Sequence, residues 1–209
     1  MDSLLESNCF DEFILTLDTR TRDRTPEILA EYASRYPQIR LLWHDWLKQD
    51  YSAARNHGLQ YARTERLYWQ DGDEILLDPA GIGALLRNPE PRAYHIWQIS
   101  PTPFGDPVWT HQLRLWPNLT GVKWELPIHE QLAFSIRRLG IPEEVTRYRV
   151  WHFGYALSET NTKKHRERAN IMREWLRKHP ENDQKRAYIQ EQYASSVAYL
   201  RNIPGRQIS

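Results

Sequence analysis

Three observations predict an α/β protein: an early sheet of parallel strands, a mixed second half, and a closing α-helical hairpin. Between residues 13 and 69 short apolar runs alternate with amphipathic helical stretches, the pattern of parallel strands with right-handed crossovers. Beyond Pro91 the texture changes to aromatic-rich alternating segments, which read as antiparallel strands. After His152 the chain turns helical and rich in Lys and Arg.

Residues 1–8 read as a helix end, and the apolar run 13–17 as a strand that stops at Asp18. A polar turn precedes Thr25-Pro26-Glu27, where Thr25 suits an N-cap and Pro26 the first helical position. Ile28, Leu29, Tyr32 and Ala33 then share one helix face, and residues 39–43 form the next strand. A polar loop, residues 44–50, leads to a helix starting near Ser52 and running to about Ala62. Leu67-Tyr68-Trp69 is a third short strand, and Asp78-Pro79 opens a helix carrying Ile82, Leu85 and Leu86. Residues 94–99 and 108–116 are predicted strands joined by a Pro/Gly-rich connection. Residues 122–126 and 145–152 are two further strands, and residues 159–179 and the stretch after Pro180 are two helices.

Composition narrows the function. The 209 residues suit one domain plus a small appendage, and the single cysteine excludes an internal disulfide framework. Lys and Arg number 28 against 27 Asp and Glu, so no global field recruits nucleic acid or an anionic membrane surface. No signal-peptide pattern and no long apolar run are present, which gives a cytoplasmic protein without a transmembrane segment as the expectation. Function therefore rests on a local site.

The best candidate for that site is Gln70-Asp71-Gly72-Asp73-Glu74, where an apolar run ends in three carboxylates around a glycine. Glycine lets the chain turn so that the flanking acids converge, and carboxylates two residues apart can share a divalent cation and the hydroxyls or phosphates of a ligand. An Asp-Gly pair is also a common hairpin turn. In open parallel sheets, however, ligands sit beyond the carboxyl ends of strands, which would bring Asp18 and Asp73 to one crevice.

In order and spacing, Asp18-Thr19-x-Thr21-x-Asp23-x-Thr25, Asp50-Tyr51-Ser52-Ala53-Ala54-Arg55-Asn56, Asp71-x-Asp73-Glu74 and His129-Glu130 resemble the inverting family 2 glycosyltransferases. The resemblance covers roughly residues 2–200. The strand ending His152-Phe153-Gly154-Tyr155, followed by helices, is similar to the branch that continues into tetratricopeptide-like helices. It implies the GT-A fold, with a glycosyltransferase domain over residues 1–157 and a helical extension over 158–209. Family members begin with a strand ahead of the first helix, and the resemblance places Met1 inside that helix, so it implies an N-terminally truncated domain. Arg20 and Arg24 stand where the family has small residues; arginines there suit diphosphate, although a solvated loop is the commoner reading.

The resemblance also implies roles. Asp18 would contact the uracil or its ribose, Asp71 the ribose or donor sugar, and Asp73 a divalent metal, Mn2+ or Mg2+; Arg55 would face the donor. A histidine completing the metal's ligands would be His152, or else His129. Inversion needs a base on the acceptor side, for which Glu130 is the first candidate and Glu74 the second. The implied reaction moves a sugar from a nucleoside diphosphate, UDP by preference, to a glycan, lipid or peptide. The competing reading is an inactive remnant serving as a binding module, its C-terminal helices engaging a protein partner. Trp97, Trp116 and Trp124 suit an acceptor platform or, more commonly, a core.

Overall fold

The computed structural model describes residues 1–45, 50–102, 105–154, 161–181 and 183–201. Its elements, in order, are α1 (Asp2–Glu6), β1 (Phe13–Asp18), α2 (Thr25–Arg35), β2 (Ile39–His44), α3 (Tyr51–Leu59), β3 (Arg66–Tyr68) and β4 (Glu74–Leu76). There follow α4 (Pro79–Leu86), β5 (Ala93–Thr102), β6 (Gly105–Pro117), α5 (Ala133–Arg138), β7 (Glu143–His152), α6 (Asn161–Lys178) and α7 (Gln184–Arg201). The predicted domain boundary at 157/158 and Tyr155 lie outside the described residues.

β1 and β2 pair in parallel, with Phe13 opposite Ile39 and Asp18 opposite His44. The third early strand does not extend that sheet. β3 pairs antiparallel with β6, in a second sheet of order β3-β6-β5-β7-β4. Alternation along the chain announced strands but carried no information about partners. β1 and β3 are each hydrogen-bonded as strands on one side, and both line one large cavity. Within the second sheet β5 runs antiparallel to β6 and parallel to β7, so the sheet is mixed.

A bulge divides this sheet's packing. Tyr94 faces Leu115 whereas His95 faces Leu113, which leaves Arg114 as an extra residue on β6. Beyond it the alternation on β6 shifts by one. Leu115 joins Tyr94, Ile96, Leu76, Val150 and Ile82 in one core, while Trp116 joins Leu113, Ala93, Trp124 and Ile136 in another. Arg114 itself points into the protein, fully buried, and donates to both oxygens of the equally inaccessible Glu74 at 2.6 Å. Gln98 and Gln112 accept from the same guanidinium.

Local expectations shift in four places. Helix α3 is capped by Asp50, which accepts from Ala53 N at 2.9 Å, while Ser52 donates to Asp50 instead of capping. Helix α2 begins at Thr25, whose amide is held by Asp23. No strand forms at 122–126: among the described residues the isolated bridge Glu125–Gln131 is the only strand-like pairing there. Asn56 takes over, its side chain accepting from Trp124 N at 2.8 Å and donating to Trp124 O at 2.9 Å. A side-chain amide thus satisfies the backbone that a neighbouring strand would otherwise have satisfied. Two short elements, β4 and α5, had too few residues for a periodic signal.

The α6–α7 hairpin packs onto this loop region. Met172 and Ile189 are buried against Leu126 and Ile128, with Phe134, Trp175 and Tyr188 around them. Glu125 ties the two parts, accepting from Arg138 at 2.7 Å and pairing with Lys185 of α7. Burial works against its charge, but the Lys185 ammonium and the Arg138 guanidinium outweigh it and hold the carboxyl below its ordinary value.

Breaking one half of the buried pair strands a charge. Arg114→Met is expected to destabilise the protein by about 3–5 kcal/mol, read as a lower urea midpoint, and Glu74→Leu added to it should restore part of the loss. Because the folded state depresses the Glu125 carboxyl, its contribution is complete above the ordinary carboxylate range and fades as pH falls through the depressed value. The stability difference between the protein and Glu125→Gln should therefore shrink below about pH 4, in paired urea titrations across that range.

Candidate functional site

The turn between β3 and β4 sets the site. Glu74 Oε2 accepts from Asp71 N at 2.9 Å, and Glu74 N donates to Asp71 O at 3.3 Å, so the carboxylate fixed by Arg114 also closes the turn that presents Asp71 and Asp73. Glu74 is opposite His152 in the β4–β7 pair. That register brings His152, at the end of β7, beside Asp73: Nε2 lies 3.4 Å from Asp73 Oδ2. Phe153 N donates to Asp73 O at 3.0 Å, and Ser100 Oγ meets His152 Nδ1 at 3.0 Å, which orients the ring. The Asp73 carboxylate raises the His152 pKa against the opposing effect of burial. Gly154 lets the backbone pass close by, since a Cβ there would lie 2.5 Å from His152 Nε2 and 2.7 Å from Asp73 Oδ2.

A second group surrounds Arg55 on α3. Its Nε donates to Glu130 Oε1 at 2.7 Å and its Nη2 to Asp71 Oδ1 at 3.2 Å. The guanidinium carbon stands 4.1 Å from the Trp69 ring centroid and 4.8 Å from that of Trp124. Arg114 stands 4.5 Å from the same Trp69 ring. Two guanidiniums therefore contact one indole, and this stack joins the buried Glu74–Arg114 pair to the solvent-reaching Asp71–Arg55–Glu130 chain.

The remaining candidates are placed differently. Asp18 ends β1 and holds Arg20 through a two-pronged contact at 2.9 and 3.1 Å. His129 sits in the loop before α5 with a positive φ of 51°. Burial, with Arg168 and His165 of α6 nearby, lowers its pKa to about 4. Glu74 is buried, which pushes its carboxyl up against the opposing pull of Arg114. All eight predicted residues, Asp18, Arg55, Asp71, Asp73, Glu74, His129, Glu130 and His152, nevertheless line one cavity of about 2290 Å3.

Some of the site was not visible in the sequence. Trp69 was read only as part of a strand, Asn56 stood in the Ala-Arg-Asn segment without a role of its own, and Ser100 and Arg114 carried no motif; each acts through a partner 14 or more positions away, Asn56 on Trp124 68 positions on. Of the three tryptophans considered as a platform, Trp116 and Trp124 are core, at 2% and 5% exposure, while Trp97 packs edge-on against Trp109 and His111 on the sheet. Chemically, the cavity offers a carboxylate–imidazole pair at one position and a guanidinium-bridged pair of carboxylates at another.

The chain resembles known proteins. The chain is 32% identical over 181 residues to a TPR repeat-containing protein of Synechococcus elongatus, covering 82% of this chain and 43% of that one. It is 28% identical over 179 residues to the prophage-derived glycosyltransferase SunS of Bacillus subtilis, covering 82% and 41%. The chain thus spans about two fifths of these curated relatives. Among solved structures, residues 1–349 of S. aureus TarS superpose with a TM-score of 0.55 at 13% identity, over 97% of this chain and 67% of that one. The UDP complex of the same protein gives 0.56 at 14%, over 94% and 65%. The fold is accordingly GT-A, an α/β sheet with a mixed half and C-terminal helices. The Glycosyl transferase family 2 model matches residues 1–156, and the chain belongs to that family.

Proposed function

We propose that this chain carries the donor-binding and catalytic part of an inverting glycosyltransferase that takes a sugar from a nucleoside diphosphate, UDP by preference, to a glycan, lipid or peptide acceptor. The observation that carries the reading is the pairing of Asp73 with His152 at 3.4 Å in a cavity shared with the Asp71–Arg55–Glu130 chain. Family membership supports it, and so does the presence of UDP in a structure of like fold.

Asp73 and His152 fit a divalent cation. An oxygen and a nitrogen about 2.1 Å from one ion in adjacent positions lie about 3 Å apart, close to the observed separation. Among the described residues no group of three or more His, Cys, Asp or Glu side chains converges, so Asp73 and His152 are the residues that would hold the ion. Mn2+ or Mg2+ held there would supply positive charge to stabilise the leaving diphosphate. The chain's own residues do the rest. Asp18 takes the uracil or ribose, and Asp71, oriented by Arg55, takes the ribose or donor sugar. Glu130, held by the Arg55 Nε, accepts the acceptor's proton as it attacks. Glu74 has both oxygens engaged by Arg114, which supports Glu130 over Glu74 as the base.

Titrating the protein with UDP by calorimetry, with and without Mn2+, tests the reading. Metal-dependent binding that weakens by at least about tenfold in Asp73→Ala is the expected result; a folded protein that ignores UDP under both conditions would overturn it and favour the binding-module reading. Glu130→Gln should bind UDP as the parent does and lose turnover of a donor sugar by about 10²–10⁴-fold, the usual contribution of a general base.

A further inference from the structure

A second cluster of nitrogen ligands lies on the mixed sheet, where His95 and His111 line another part of the same large cavity. His95 of β5 and His111 of β6 approach across the strands, Nδ1 to Nδ1, at 3.4 Å. By alternation along β5, His95 and Trp97 project from the opposite face to Gln98 and Ser100, and so from the face opposite the residue that orients His152. The rings meet edge to face, with centroids 5.2 Å apart, and Trp97 walls the far side of His111 at 5.2 Å.

The tautomer is set from behind. His95 Nε2 lies 2.7 Å from Glu143 Oε2, and Glu143 is itself held by Arg137 Nε at 2.7 Å through its other oxygen. A carboxylate facing a guanidinium accepts hydrogen bonds, so the His95 proton resides on Nε2. Its Nδ1 then presents a lone pair toward His111, which is exposed and free to turn its own lone pair the same way. A histidine whose second nitrogen donates to a carboxylate is the usual arrangement behind a zinc ligand. Two nitrogens on one tetrahedral zinc, each 2.0–2.1 Å from it, lie about 3.3 Å apart, which matches the observed gap.

We propose that His95 and His111 form a cross-strand site for a zinc-class divalent ion, with Glu143 and Arg137 as the positioning pair behind His95. Imidazole nitrogen selects Zn2+ and its neighbours over the hard cations that suit Asp73. Because no third His, Cys, Asp or Glu converges among the described residues, two positions remain for water or for a donor from another molecule. The ion would pin β5 to β6 beside Trp97 and Trp109, at the exposed end of the sheet.

The test is calorimetric titration with ZnCl2 alone, on the full chain carrying Asp73→Asn so that the other metal pair is removed. One ion per chain is expected, with affinity falling at least about tenfold on adding His95→Ala or His111→Ala, and about tenfold on adding Glu143→Gln. Circular dichroism identifies any variant that unfolds. Histidine side-chain NMR of the parent covers that case, because Zn2+ should shift the His95 and His111 imidazole resonances ahead of the other six. No saturable binding by the folded protein, binding indifferent to His111→Ala, or resonance shifts confined to other histidines would each overturn the site and reduce the pair to an N–H···N hydrogen bond. None of these outcomes bears on UDP binding, which uses different residues.

Discussion

The pairing of Glu74 with Arg114 is the interaction on which the rest of the site depends. Both side chains are inaccessible to solvent, so each charge is tolerable only while the other is present. The pair exists because a bulge on β6 supplies one extra residue, and that residue is Arg114. The carboxylate so fixed also accepts the amide of Asp71, and the turn carrying Asp71 and Asp73 inherits its position from the core.

From this anchor the site extends in two directions. Toward β7, the register that sets Glu74 opposite His152 delivers an imidazole to Asp73, and Gly154 leaves room for both. Toward α3, the indole of Trp69 lies against Arg114 and also against Arg55, and the latter carries Asp71 and Glu130 on separate nitrogens. Two carboxylates from different parts of the chain are thus spaced by one guanidinium. Arginine suits that place because its planar fork offers two separate donors to two partners and a flat face to an aromatic ring.

In the two proposals the same sheet carries two kinds of metal chemistry. One end offers a carboxylate and an imidazole facing the large cavity, the pair proposed to hold a hard ion. On its other face two imidazoles meet with a carboxylate behind one of them, a softer set. The period-2 alternation of strand β5 keeps the two apart.

The sequence by itself determined the class of fold, the order of most elements and the acidic turn, because these depend on local periodicity and on single residues such as Gly72 and Pro26. It also named eight candidate site residues, through motifs whose chemistry shows in residue type and spacing, and these are among the many residues that line the cavity. Strands 66–68 and 13–18 looked alike as apolar runs, yet they joined different sheets, since pairing depends on surfaces that periodicity does not describe. Residues 122–126 looked like a strand and became a loop, because Asn56 on α3 satisfied its backbone first. Only tertiary structure decided that Glu74 is a buried strut, that His152 faces Asp73, and that Trp69 lies between two arginines. Each of these depends on contacts between elements 14 to 79 positions apart, fixed by sheet register and by one bulge, and a local pattern does not reach that far.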